Sequence, residues 1–356
     1  MHKNLLVPMA GKSSRFPGVR PKWMLTHPTG RFMVIKALDG LDLGYFDFIY
    51  FIFLKEHEEE YHFLKGFKSE LEAEGLLAKS RFVFLENETQ NQPETVYEAI
   101  VKNDINGQIF IKDSDNYFKT SVFEGNAVYV NDLNSCGLVN PSNKSYILKN
   151  EDNLVTNIIE KKVISPFFCV GGYSFESHSL FIEKYLKLSG EKNLFISNII
   201  FDCLLDNIQF QSKTVTDYRD WGTLKDWNDY KKTYATIFID LDGTLVYNSA
   251  SHFPPYYGDT SGIFENIQIL KDLKSKGKIQ IIITTSRAEQ YREVTIKQLF
   301  DLGIEYDHLI MGLFHSKRII INDYANSNPF KSCDSINLKR DSKELNEILK
   351  DSMGFN

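Results

Sequence analysis

The chain has only four cysteines in 356 residues, Cys136, Cys169, Cys203 and Cys333, and no CxxC spacing. That excludes a disulfide scaffold and a zinc ribbon, and buried thiols in a reducing cytosol are the expectation. Basic residues are not in excess: 41 Lys and Arg stand against 47 Asp and Glu, for a net charge of −6. Non-specific binding to DNA or RNA needs a basic face, so no nucleic-acid partner is expected. Nucleotides need only a few placed cations and stay open. No stretch reaches the ~18 apolar residues of a membrane span. The most apolar run, Tyr45 to Leu54, is interrupted by Asp47 and reads as a buried strand. The apolar opening, Leu5 to Ala10, runs at once into Gly11 and Lys12, too short for the core of a secretory leader. A cytoplasmic protein with no membrane association is the expectation. The eight histidines show no HxH or HExxH spacing and are assigned no metal.

Aromatic residues are plentiful. The 27 Phe and 18 Tyr, within a hydrophobic content of 42%, supply a sizeable core and exclude wholesale disorder. The length is that of two domains. Short apolar runs at 4–8, 48–54, 81–85 and 108–112 alternate with helical stretches at 56–74 and 95–102, the pattern of an α/β sheet covered by helices. Strand-like segments at 146–148, 154–160 and 167–175, then helical patterns at 178–189 and 193–206, read as an acceptor-binding subregion or lid. A second α/β pattern begins near Thr233. It has strands at 235–240, 279–284, 318–322 and near 335–338, and helices at 264–276, 288–302 and 342–349. The boundary falls within 231–234, giving domains 1–232 and 233–356, with no Gly/Ser linker, internal repeat or low-complexity segment between or within them.

The first strand ends in Pro8-Met9-Ala10-Gly11-Lys12-Ser13-Ser14-Arg15-Phe16, followed by Pro21-Lys22. A turn of small residues after β1 lets backbone N–H groups approach phosphates, Arg15 can grip phosphate oxygens bidentately, and Lys22 can offset their charge. Gly11-Lys12-Ser13 is not a Walker A loop, because Leu6 stands where its first glycine must be. A second strand ends in Asp113-Ser114-Asp115-Asn116, hard oxygen donors of the kind that suit Mg²⁺ bridged to phosphates. Asp220, in Asp220-Trp221-Gly222-Thr223, either completes that metal site or caps the helix that follows. Trp221 and Trp227, at helical spacing, read as core.

Together, Gly11-x-x-Ser14-Arg15-Phe16, Pro21-Lys22, Asp115-Asn116, Glu160-Lys161 and Asp220-x-Gly222-Thr223 resemble the sugar-phosphate nucleotidyltransferases over residues 1–232. The resemblance implies a GT-A, Rossmann-like fold with a mixed sheet. Ala10, Gly11, Ser13 and Ser14 would cradle the nucleotide, with Arg15 on the triphosphate tail and Lys22 at the reacting centre. Asp115 and Asp220 would hold Mg²⁺, Glu160 would contact the sugar or polyol, and Lys161 its phosphate. Gln92, in Thr89-Gln90-Asn91-Gln92-Pro93-Glu94-Thr95, sits where that family reads the base. Two positions depart from the pattern. The usual Gly-x-Gly turn is Gly11-Lys12-Ser13, and Lys162 replaces the proline after Glu-Lys, so either lysine can be the phosphate ligand. Asp113 gives a double-carboxylate look closer to a GT-A glycosyltransferase. The Arg15 and Lys22 element argues against that alternative, since a sugar donor needs no such grip on a triphosphate.

The sharpest signal is Thr236-Ile237-Phe238-Ile239-Asp240-Leu241-Asp242-Gly243-Thr244-Leu245-Val246, a hydrophobic strand delivering two aspartates onto one turn. One can serve as nucleophile and the other as acid and base. It resembles motif I of the haloacid dehalogenase (HAD) superfamily phosphatases, and Thr284-Thr285-Ser286-Arg287 resembles motif II. The resemblance implies a small capless HAD domain. Asp240 would be the nucleophile, Asp242 the proton donor and acceptor, Thr285 a phosphoryl ligand and Lys317 the cation of motif III, while Asp240 and Asp323 would hold Mg²⁺. Asn322 stands where motif IV often carries a second acid, which raises a non-catalytic module as an alternative. The loop with His252, Pro254, Pro255, Tyr256 and Tyr257 reads as a flap or an ordinary aromatic loop.

The expected protein is a bifunctional enzyme of activated-sugar or surface-polysaccharide biosynthesis, with Mg²⁺ at both sites. One domain transfers a nucleotidyl group from a nucleoside triphosphate to a sugar or polyol phosphate, and the other hydrolyses a phosphomonoester. CTP is slightly favoured, because compact members of the family without a C-terminal β-helix often use it. No oligomeric state is assigned.

Overall fold

The computed structural model describes residues 2–11, 15–136, 140–191, 193–249, 257–323 and 333–353. The chain divides into two compact units, Met1–Trp227 and Asn228–Asn356.

The first unit carries strands β1 (Lys3–Pro8), β2 (Phe48–Leu54), β3 (Ser80–Leu85), β4 (Gln108–Lys112), β5 (Asn116–Lys119), β6 (Ala127–Asp132), β7 (Ser145–Lys149), β8 (Val155–Glu160), β9 (Phe167–Phe175), β10 (Gln211–Thr214) and β11 (Thr216–Asp220). Its main sheet runs β10-β6-β9-β4-β1-β2-β3, with β7 pairing β8 and β9, and β5 and β11 form a separate antiparallel pair. The half containing β3, β2, β1 and β4 is parallel, and β9 enters antiparallel to both β4 and β6. The near-continuous apolar runs have a physical reason. Leu5 and Val7 of β1 enter one core cluster and Leu6 the other, and on β2 Phe51 and Phe53 oppose Ile52 and Leu54. A parallel sheet buried on both faces leaves no polar face to alternate with. In such a sheet ligands bind beyond the carboxyl ends, where neighbouring strands leave in opposite directions, and here that crevice lies between β1 and β4.

The helical stretch expected over 56–74 is two helices, Lys55–Tyr61 and Leu64–Ala73. His62 between them is left-handed at φ 47°, Glu58 accepts from the Leu64 N–H at 2.9 Å, and Phe63 turns into the core. Composition gave a helical pattern throughout, and burial of Phe63 breaks it.

The second unit has three parallel strands, β12 (Ala235–Asp240), β13 (Ile279–Thr284) and β14 (His308–Ile310), in that spatial order. Helices Phe264–Ser275, Arg292–Asp301 and Leu345–Met353 accompany them, and Leu241, Leu245, Leu270, Ile281, Ile283 and Leu299 build the core. The strands expected at 318–322 and 335–338 are absent among the described residues. Ile319, Ile320 and Ile321 are 73%, 53% and 91% exposed, and among the described residues β12 pairs only with β13. An apolar run reads as a strand from composition, but it becomes one only where a ladder partner meets it. Cys169 and Cys203 are buried, whereas Cys136 and Cys333 are half-buried; all four are free thiols. No helix among the described residues is long and apolar enough to cross a membrane.

Candidate active sites

In the first unit, β1 ends at Pro8 and runs into buried Met9 and Ala10, with the Met9 N–H donating to the Ile52 carbonyl at 2.9 Å. Gly11 is exposed, and a Cβ there would meet nothing within 4 Å, so no close approach within the described residues demands glycine. Ser13 and Ser14 lie outside the described residues. Arg15 and Lys22 converge on the end of β4. Lys22 Nζ lies 2.5 Å from Asp115 Oδ2, and Arg15 Nη2 lies 3.7 Å from the same oxygen. Burial alone would raise the Asp115 carboxyl, but Lys22, Arg15 and Lys144 outweigh it and hold it well below the usual carboxylate range.

Asp220 is brought to the same place by the pairing of β5 with β11, which sets Asp220 opposite Asn116. The Trp221 N–H donates to the Asp115 carbonyl at 2.9 Å. A Cβ at Gly222 would stand 3.0 Å from Asp220 Oδ1 and 3.5 Å from both Asp115 Oδ2 and Arg15 Nη1. Gly222 thus leaves open the point where two carboxylates and a guanidinium meet. Asp220 is not the helix cap. Thr223 Oγ1 accepts from the Asp226 N–H at 3.1 Å, while Asp220 Oδ2 pairs with Lys144 Nζ at 2.6 Å. Two adjacent carboxylates with hard oxygen donors fit Mg²⁺, which is held by one or two carboxylates plus substrate phosphates.

Lys144 had no signal in the sequence. Its ammonium holds Asp220 and donates to Tyr218 Oη at 2.8 Å, and its carbonyl accepts from the Lys161 N–H at 3.0 Å. It therefore links the carboxylate pair to the Glu160-Lys161 turn. Glu160 is held by two hydroxyls, with Ser197 Oγ at 2.8 Å and Ser145 Oγ donating to the same oxygen. Lys161 is exposed and left-handed at φ 53°, with Nζ 4.4 Å over the Phe195 ring; Lys162 is also exposed. The Gln92 amide does not project alone, because Nε2 donates to Asp113 Oδ1 at 2.6 Å. Burial and the nearby Asp115 charge push the Asp113 carboxyl up. Beneath this turn, the buried Lys112 ammonium donates to the carbonyls of Asp113 at 2.8 Å and Asn116 at 2.9 Å and to Asn116 Oδ1 at 2.5 Å. Trp221 and Trp227 are core residues, edge-to-face at 5.5 Å.

In the second unit, a cavity of about 530 Å³ opens at the carboxyl ends of β12 and β13. Asp240, Asp242, Thr244, Arg287, Arg318 and Arg340 are among its lining residues. Asp240 stands opposite Thr284 in the ladder. Its carboxyl is raised by burial, with Arg318 acting against that through an Nη1 contact of 2.8 Å to Oδ1. Asp242 is clamped. Arg287, 1% exposed, reaches both its oxygens, and Thr285 Oγ1 lies 3.0 Å from Oδ2. Thr285, expected to meet a phosphoryl group, is fully buried and engaged with Asp242. The cation beside Asp240 is Arg318, whereas Lys317 is exposed and outside the cavity lining. Asp323 is likewise exposed and outside the lining. No group of three or more side chains that could hold a metal ion occurs among the described residues of either unit. Tyr257 lines the cavity under Arg287, at 4.7 Å from ring centroid to guanidinium carbon, while His252, Pro254, Pro255 and Tyr256 lie outside the described residues.

No protein-family model and no curated protein matches the chain. Solved structures do. The nucleoside-diphosphate-sugar pyrophosphorylase from Vibrio cholerae RC9 is similar over 64% of this chain and 99% of its own, at 20% identity and a TM-score of 0.54. The inositol-1-phosphate CTP transferase from T. maritima is similar over 64% of this chain and 91% of its own, at 12% identity and a TM-score of 0.51. At these identities the likeness is one of fold. About two-thirds of the chain has the mixed α/β fold found in nucleotidyltransferases.

Proposed function

We propose that the chain is a bifunctional enzyme of activated-sugar or surface-polysaccharide biosynthesis, with nucleotidyl transfer in residues 1–232 and phosphomonoester hydrolysis in residues 233–356. The convergence of Lys22 and Arg15 on Asp115, with Asp220 beside it, is the observation that carries the first activity. A phosphate oxygen of a sugar or polyol phosphate attacks the α-phosphorus of a nucleoside triphosphate. A new O–P bond forms, the bond to the β-phosphate bridging oxygen breaks, and pyrophosphate leaves with the electron pair. The attacking phosphate is already ionised at neutral pH, so catalysis is positioning plus charge neutralisation by Lys22, Arg15 and Lys144. When bound, Mg²⁺ on Asp115 and Asp220 supplies further neutralisation at the phosphates. The hydroxyl-held Glu160 suits recognition of a polyol or sugar hydroxyl. The likeness to a CTP transferase supports CTP as the first nucleotide to try.

For the second activity the support is the Asp240 and Asp242 turn facing a cavity at parallel strand ends, in a sequence that resembles HAD phosphatases. Asp240 attacks phosphorus and an O–P bond forms as the bond to the ester oxygen breaks; the leaving oxygen takes a proton from Asp242, which then accepts one from the water that cleaves the aspartyl-phosphate, returning Asp240 and releasing inorganic phosphate. Arg318 is the cation at the nucleophile. A second reading, a non-catalytic module, is favoured by one observation: Asp323 is outside the cavity lining. Comparing phosphate release by wild type and Asp240→Asn decides between the two. Loss of at least a hundredfold supports hydrolysis, and equal release by the two sinks it.

A further inference from the structure

The C-terminal cavity holds more positive charge than its own carboxylates use. Of the guanidinium groups in its lining, Arg287 is committed to Asp242 and Arg318 to Asp240. Arg340 has no carboxylate within ion-pair distance among the described residues, and His315 lines the same cavity. Arg340 is remote in sequence, yet it is fastened to the nucleophile turn. The Asp341 N–H donates to the Gly243 carbonyl at 2.7 Å, and Asp341 Oδ1 accepts from the Asn248 N–H at 2.9 Å. Asn266 Nδ2 donates to both the Thr244 and Ser342 carbonyls at 2.8 Å. Gly243, at φ 87°, leaves the space that Arg340 fills, since a Cβ there would lie 2.9 Å from Arg340 Cγ. Four hydrogen bonds thus fasten the segment that follows Arg340 to the turn that carries Asp240 and Asp242, and Gly243 makes room for the Arg340 side chain, which lines the same cavity.

We propose that Arg340 binds a second phosphate on the substrate, the one that is not removed, so that the C-terminal unit acts on a sugar or polyol bisphosphate. This rests on the phosphatase reading above. The transferred phosphoryl group must sit at Asp240, where Arg318 stands. Arg340 instead packs against Gly243, three residues on, and an exposed guanidinium in this lining matches phosphate bidentately. A cavity of about 530 Å³ is within the range of small-molecule sites and far larger than one phosphate requires. The product keeps one phosphate, which is the chemistry the nucleotidyl-transfer reaction needs in its acceptor. A reaction that phosphorylates a sugar or polyol monophosphate a second time must supply the substrate.

The test uses the full chain with glucose 1,6-bisphosphate, glucose 6-phosphate and 3-phosphoglycerate as probes. The proposal expects the bisphosphate to be turned over with the highest kcat/KM. In Arg340→Gln the ratio of bisphosphate to monophosphate kcat/KM should fall about tenfold or more, with partial recovery in Arg340→Lys. An unchanged ratio overturns it, and so does equal preference for 3-phosphoglycerate, which would make the second group any anion. Calorimetric binding of the same probes to Asp240→Asn, with and without Arg340→Gln, needs no turnover. Arg340-dependent preference for the bisphosphate without hydrolysis by wild type keeps the binding site and removes the phosphatase reading. Hydrolysis without that preference removes the inference and keeps the reading.

Discussion

Arg287 donates to both carboxylate oxygens of Asp242, Nε at 3.1 and 3.0 Å and Nη2 at 2.7 Å, while its Nη1 donates to Thr295 Oγ1 at 3.1 Å and Gln298 Oε1 at 2.9 Å. The fork fixes the second aspartate of the turn from a buried position. Replacing Arg287 with Met leaves Asp242 without its charged partner and orphans two further polar groups. The expected cost is about 3–5 kcal/mol of stability in the C-terminal unit, read by urea denaturation. Arg287→Lys recovers only part of it, because an ammonium cannot reproduce the planar fork. A loss under about 1 kcal/mol in Arg287→Met would show the clamp to be incidental.

Gly171 on β9 lies against the Asp113 turn. At φ 78° it occupies a region that side chains avoid, and a Cβ there would collide with Asp113 Oδ2 and stand 2.7 Å from Asn116 Nδ2. Gly171→Ala is expected to destabilise the N-terminal unit by about 1–3 kcal/mol and to weaken nucleotide binding by displacing Asp113 from Gln92. A thermal melt and a nucleotide titration check the two effects together. Wild-type values in both would contradict the close packing of β9 on the Asp113 turn.

Burial lowers the Lys112 ammonium from 10.5 to about 7, against the opposing charges of Asp113 and Asp115. Between those two values the unfolded chain binds a proton that the folded chain does not. This group's contribution to stability therefore rises with pH from about 7 to about 10.5 and is lost as pH falls through about 7. Urea stabilities of wild type and Lys112→Met, measured from about pH 7 to pH 9.5, should diverge in favour of wild type as pH rises. A difference independent of pH would contradict the assignment.

The two site turns were legible in the sequence because each is local. Asp113 to Asn116 directly follow β4, and Asp240 to Gly243 close β12, so composition and strand ends announce them together. What was not legible depends on pairing across long separations. Lys144 meets Asp220 only because β11 returns beside β5, and Arg340 reaches Gly243 through a segment with no strand or motif of its own. Arg318, the cation paired with Asp240, had no signal in the sequence either, because side-chain direction in a loop has no period to read. The strand expected at 318–322 failed for the same kind of reason, since three isoleucines specify no partner.

The most direct test of the account is pyrophosphate release by the full chain. CTP, UTP, GTP and dTTP are each supplied with Mg²⁺ and a panel of sugar and polyol phosphates, for wild type and for Lys22→Met. The account predicts release that requires both a nucleotide and an acceptor phosphate, with kcat/KM lower by about 10²–10³ in Lys22→Met, since one preorganised positive group at the reacting phosphate is removed. Release of a nucleoside diphosphate in place of pyrophosphate, or no release with any of the four nucleotides, would contradict it.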